Sequence, residues 1–138
     1  MLTVDACVWV AAYDPQDRFR RDSVVFLSAA MRRRTRLVAP AIMPLEVACV
    51  LARRAGSPEV GESASRRLRT ALGLQLLAVD EKLLALATRL GTKRLLRGAD
   101  ALYAAVAEAT RSPLITWDSA LLERARGRTP EDWLTGTG

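Results

Sequence analysis

Four acidic residues, Asp5, Glu46, Asp100 and Asp118, each interrupt apolar surroundings near an expected strand end or helix start. Asp5 closes the run Leu2-Thr3-Val4, and Asp118 follows Leu114-Ile115-Thr116-Trp117. Open α/β sheets place their ligands beyond the carboxyl ends of parallel strands, so both carboxylates stand where a site would form. Glu46 shares a helical row with Cys49 and Val50, and Asp100 shares one with Tyr103, Ala104 and Ala107. Carboxylates gathered in such surroundings repel one another unless a cation joins them. Oxygen ligands alone suit a hard ion, Mg2+ or Mn2+, which keeps some water and binds phosphate oxygens beside carboxylates.

Ordinary structural duties compete for each acid. Asp5 and Asp118 are placed to cap the helices that follow them, and Asp100, just after Gly98, complements a helix dipole. Glu46 is harder to explain away: with Pro44 at the first helical position the cap would be Met43, which cannot complete a capping box. Asp80 is the control, because it too ends a strand but is followed by Glu81, Lys82 and an ordinary amphipathic face, which makes it a cap. Thr116, two residues before Asp118, points to the same side of its strand and is placed to orient an acid or a water. Such hydroxyls more often satisfy a nearby backbone group.

Composition narrows the chemistry further. The 138 residues contain no histidine, which removes Ser-His-Asp triads and every histidine metal motif. Cys7 and Cys49 lie far apart in apolar contexts, as packed thiols rather than a zinc site or a disulfide framework. Lys and Arg number 21 against 15 Asp and Glu, a balance of +6 carried mostly by arginine. That excess favours a polyanionic partner through the fit of guanidinium to phosphate, although a solvated basic surface has the same composition. Half the residues are hydrophobic. A chain of this length forms one domain, residues 1–138, burying about 68% of the surface its unfolded form exposes. No apolar run is long enough to span a bilayer and the start lacks a basic region followed by a long apolar core, so a cytoplasmic location away from membranes is expected.

Strands alternating with helices are expected to position the acids. Strands are expected at Leu2–Asp5, Leu37–Ala39, Leu74–Val79 and Pro113–Thr116, with helices at Ala6–Tyr13, Arg21–Arg33, Leu45–Arg54, Glu59–Leu72, Ala99–Thr110 and Ser119–Ala125. The helix after Asp80 carries the core stripe Leu83, Leu86, Ala87 and Leu90 and is expected to stop at Gly91. The third helix, apolar on all sides through Val47–Ala52, should be buried. Parallel crossovers of this kind make a three-layer α/β/α sandwich around a central parallel sheet.

The ordered set Thr3-Val4-Asp5-Ala6-Cys7, Pro44-Leu45-Glu46-Val47, Ala99-Asp100-Ala101-Leu102 and Thr116-Trp117-Asp118 resembles the PIN-domain nucleases, and within them the VapC toxins of toxin–antitoxin modules. The resemblance covers nearly the whole chain. It implies a PIN-like sheet and a pocket holding Mg2+ or Mn2+ on Asp5, Glu46, Asp100 and Asp118, with Thr116 as the hydroxyl before the last aspartate. It also implies metal-dependent endoribonuclease activity on an RNA substrate, a cognate antitoxin protein, and a homodimer. Cys7 departs from the Ser or Thr common at its place in the family. Two other readings are carried forward: a catalytically degenerate PIN-like module that binds RNA or protein, and a Mg2+-dependent phosphohydrolase. The second lacks a further aspartate at position 7 and a Gly-rich phosphate loop.

Overall fold

The computed structural model describes residues 1–136. Four strands, β1 (Leu2–Val4), β2 (Leu37–Pro40), β3 (Leu74–Leu77) and β4 (Leu114–Ile115), form one sheet in the order β3-β2-β1-β4. All pairings are parallel: Thr3 stands opposite both Val38 and Leu114, and Leu37 opposite Leu74. The chain steps outward from β1 through β2 to β3, then crosses back to place β4 on the other side of β1. Strand order therefore reverses between β1 and β4, and the crevice beyond their carboxyl ends is the ligand position of such sheets. Asp5 and Asp118 follow those two ends.

Helices cover both faces. Around the face of Leu2, Val4, Leu37 and Ala39 gather α1 (Ala6–Tyr13), α2 (Arg20–Arg32), α3 (Met43–Ala55), α4 (Pro58–Arg69) and α8 (Pro130–Thr135). The other face is covered by α5 (Glu81–Arg94) and α6 (Gly98–Thr110), with α7 (Ser119–Arg124) completing the chain order. Alternation along the strand explains the division: Val38 packs with Leu83, Leu90 and Val106, whereas its neighbours Leu37 and Ala39 face Phe26, Met43 and Val47. Thr3, fully buried, is satisfied by Ser112 at 2.7 Å, and Ser112 by Thr110 at the end of α6 at 2.7 Å.

Several expected boundaries move, each for a local reason. α3 starts at Met43 with Ile42 in the cap position, so Pro44 lies one residue further in. That helix is not buried all round: Met43, Pro44, Val47 and Leu51 face the core, while Leu45 is 63% exposed and Cys49 is exposed too, so only Cys7 lies among packed groups. Gly91 does not end α5, which runs on to Arg94 and closes at Leu95 with φ +54°. Gly91 instead lets α6 approach, since a Cβ there would lie 2.8 Å from the Ala101 methyl. α8 was not expected at all, yet Thr129-Pro130-Glu131-Asp132 is a readable start signal: Thr129 and Asp132 make a reciprocal capping box.

Candidate active site

At the end of β1 the chain turns at Asp5 into α1. Asp5 occupies the cap position, but its carboxylate makes no capping hydrogen bond. It lies 6% exposed, and its Oδ2 accepts from Thr116 Oγ1 at 2.7 Å and from Cys7 Sγ at 3.0 Å. A helix cap therefore does not account for Asp5. Burial pushes its carboxyl above the usual carboxylate range; the hydroxyl and thiol donors oppose that rise, and the charges of Asp100 and Asp118 add to it.

Thr116 joins two of the acids. While its hydroxyl donates to Asp5, the oxygen accepts from the backbone N–H of Asp118 at 2.9 Å. Asp118 does cap α7, its Oδ1 accepting from Leu121 N–H at 3.0 Å, and its Oδ2 remains turned toward Arg97. Trp117 holds this corner, with its indole N–H on Ser23 at 2.9 Å and its ring stacked on Phe19 at 4.2 Å between centroids. Cys7 accepts from Trp117 N–H at 3.3 Å, and burial, followed by the Asp5 charge, pushes its thiol up. The protonated thiol is thus a donor to Asp5 and not a soft ligand.

Glu46, in the first turn of α3, accepts from the Tyr103 hydroxyl at 2.6 Å. Burial raises its carboxyl, the tyrosine opposes, and the charges of Asp5 and Asp100 raise it further. Tyr103 is 1% exposed and comes from α6, one turn after Asp100, so the row expected to be apolar beside Asp100 supplies the partner of Glu46. The capping expectation for Asp80 is met at 2.8 Å from Leu83 N–H.

Asp100 and Asp118 share a single cation: Arg97 Nε lies 3.1 Å from Asp100 Oδ2, and Nη2 lies 3.3 Å from Asp118 Oδ2. The acids thus come from the ends of β1 and β4 and the first turns of α3 and α6, and each of Asp5 and Glu46 feels the charge of others in the set. Neither Asp5 nor Glu46 makes an ion pair among the described residues. A set of carboxylate oxygens, two of them already paired with one exposed guanidinium, has the donor chemistry for a hard cation. As the side chains stand, however, no three of the described Asp, Glu or Cys residues converge closely enough to hold an ion without adjustment.

The arginines separate by position. Arg32, Arg33, Arg34 and Arg36 precede β2, at the amino end of the sheet and opposite the acids; the Arg36 carbonyl accepts from Leu2 N–H at 2.9 Å. Arg66 and Arg69 line a groove between α3 and α4 with Pro44, Leu45 and Glu62, directly beside Glu46 in the chain. Arg94 faces Glu108 at 3.8 Å. None of the helices among the described residues is long and apolar enough to cross a membrane.

Solved structures share this architecture. VapC20 of Mycobacterium tuberculosis, described as a sarcin-ricin loop cleaving toxin, superposes with a TM-score of 0.74 at 17% identity, covering 86% of this chain and 91% of its own. A toxin–antitoxin complex from Klebsiella pneumoniae matches with a TM-score of 0.70 at 18% identity, over 94% of this chain and 98% of its own. FitAcB from Neisseria gonorrhoeae matches with a TM-score of 0.70 at 18% identity, over 95% and 99%. At these identities the likeness is one of fold. No curated protein matches the sequence. The sequence does match the PIN domain over residues 2–127, a span that includes the ends of β1 and β4 with their acids, and the chain belongs to the PIN-domain family.

Proposed function

We propose that this protein is a metal-dependent endoribonuclease acting as the toxin of a toxin–antitoxin pair. The observation that supports the proposal is that Asp5, Glu46, Asp100 and Asp118 come from the ends of β1 and β4 and the first turns of α3 and α6, near enough that the charge of Asp100 acts on both Asp5 and Glu46, with Asp5 buried and lacking an ion pair among the described residues. Asp5, Glu46, Asp100 and Asp118 would hold Mg2+ or Mn2+ after small side-chain movements. Such an ion supplies Lewis acidity, lowering the pKa of water and offsetting charge on phosphodiester oxygens.

The chain's own groups would prepare that chemistry. Thr116 and Cys7 fix one oxygen of Asp5, leaving Oδ1 without a hydrogen bond among the described contacts. Tyr103 aims Glu46, and the α7 cap holds Asp118 by its other oxygen. Positioning of this kind limits the reorganisation needed once substrate arrives. Arg66 and Arg69, beside the Glu46 end of α3, are the arginines best placed to hold an RNA backbone. An antitoxin is the proposed protein partner, by analogy with the toxin–antitoxin complex of matching fold, and a second copy of the chain is proposed from the family resemblance alone. The whole chain, residues 1–138, is proposed to act as one PIN-like unit in the cytoplasm.

The direct test is RNA cleavage by purified protein with Mg2+ or Mn2+. Activity should vanish with chelator and in Asp100→Asn; cleavage that survives both treatments would reject the assignment. A second reading, a degenerate module that binds RNA or protein without cutting, is favoured by the acids not yet converging and by Arg97 already occupying two of them. Thermal melting separates the two, because a working site is stabilised by added Mn2+ through ligand linkage and an empty scaffold is not.

A further inference from the structure

Arg97 occupies the place where the acids call for a cation. Its guanidinium ties the first turn of α6 to the junction of β4 and α7, giving one hydrogen bond to Asp100 and one to Asp118. Its side chain is 78% exposed, while those of the two aspartates are 13% and 25% exposed. The cation thus covers the acids from the solvent side on a long, rotatable stem. Arg54 offers a contrast within the same molecule, joining Asp14 and Asp17 at 2.8 and 2.9 Å from a single nitrogen with 47% exposure. Arg54 pins a turn; the Arg97 bonds are longer, split over two nitrogens and more open to water. Exposed pairs of this type are weak and screened by salt.

We propose that Arg97 is a built-in counter-cation, holding Asp100 and Asp118 together in the ion-free protein and leaving them when a divalent ion binds, so that it sets the metal affinity of the site. This rests on the assignment of the four acids as metal ligands. A guanidinium and a dication drawn to the same Oδ2 atoms repel one another and compete for those oxygens, and a hard dication is the stronger partner for two carboxylates. Metal affinity is therefore the intrinsic affinity of the acids reduced by the competition from Arg97.

Mn2+ titrations of wild type, Arg97→Gln, Arg97→Lys, Arg54→Gln and Asp100→Asn, followed by calorimetry and thermal melting, test the proposal without reference to activity. Arg97→Gln should bind Mn2+ with a Kd roughly three- to tenfold lower than wild type, the scale of two exposed ion pairs. Its melting temperature without metal should fall. Arg97→Lys keeps the charge but loses the two-armed fork, so its Kd should lie between the two. Arg54→Gln should match wild type. In wild type, the Arg97 Nε–H resonance should move toward that of a free arginine as Mg2+ is added. Equal or weaker Mn2+ binding by Arg97→Gln overturns the inference, as does Arg97→Lys equal to wild type, which would make net charge the whole cause. If wild type and Asp100→Asn both ignore Mn2+, the metal assignment itself fails, and this inference with it.

Discussion

Asp5 is destabilising to the ion-free protein for the same reason that makes it useful. Burial raises its carboxyl from the ordinary value of 3.8, so the folded chain holds this proton more tightly than the unfolded chain does. Glu46 is raised from 4.5, also by burial first. The sign follows: as pH climbs, the unfolded carboxylates ionise before the folded ones, and stability falls through a window that opens at those ordinary values and closes at the raised ones. Asp5→Asn removes the more deeply buried of the two carboxyls. In EDTA, urea melts between pH 4.5 and 7 should show wild type losing stability relative to Asp5→Asn as pH rises; parallel curves would contradict this. The same variant should lose about 10²-fold or more of any ribonuclease rate, since several kcal/mol of metal-derived stabilisation go with a ligand. These acids were legible in the sequence because each breaks an apolar run. Thr116 was legible beside them, as a hydroxyl placed to orient an acid, but the other partners were not: a guanidinium at Arg97 has many local uses, and Tyr103 gives no sign in the sequence of the hydrogen bond its oxygen makes to Glu46.

Among the elements, the α3–α4 hairpin decides how Glu46 and the arginines of the groove stand together. The two helices meet at Gly61, where an added Cβ would collide with the Ala48 carbonyl oxygen and lie 3.0 Å from the Ala52 methyl. Inside a helix, Gly→Ala ordinarily stabilises by about 1 kcal/mol. Here the sign should reverse, because backbone cannot yield as a flexible side chain would. Gly61→Ala should destabilise by about 1–3 kcal/mol, the usual cost of overpacking, with α4 forced away from α3. Chemical denaturation measures it, and a stabilised variant would mean that the helices do not approach so closely. Periodicity and caps revealed most elements: Asp80 starts α5 as the sequence suggests, while Ser57, which reads as part of the turn after α3, caps α4. What it could not reveal was which glycine serves the backbone and which serves a neighbour. Gly56 ends α3 with φ +62°, whereas Gly91 and Gly61 are contact points within helices. In the sequence Gly56 and Gly91 both read as helix ends, and Gly61 lies inside an expected helix with no sign of its contact role.

Across the whole molecule, the sheet polarises the charge. Parallel strands put every carboxyl end on one edge, so acids that follow strands gather there, while Arg33, Arg34 and Arg36, which precede β2, are carried to the opposite edge. A net charge of +6 therefore says little about where RNA would lie, and position has to decide. Arg66 and Arg69 border a groove with Pro44 and Leu45 at the start of α3, the helix that also carries Glu46, and that groove is the proposed seat of a backbone phosphate. Binding of single-stranded RNA releases counterions, so the slope of log Kd against log salt counts the phosphates neutralised, at about 0.7 per contact. Measured on Asp100→Asn, which should hold RNA without cutting it, Arg66→Gln and Arg69→Gln should each lower that slope by about 0.7. Arg34→Gln should leave it unchanged. A slope that drops with Arg34 instead would place the RNA on the far edge of the sheet and detach the basic surface from the acidic crevice. A slope insensitive to all three would assign the arginine excess to solubility or to protein partners.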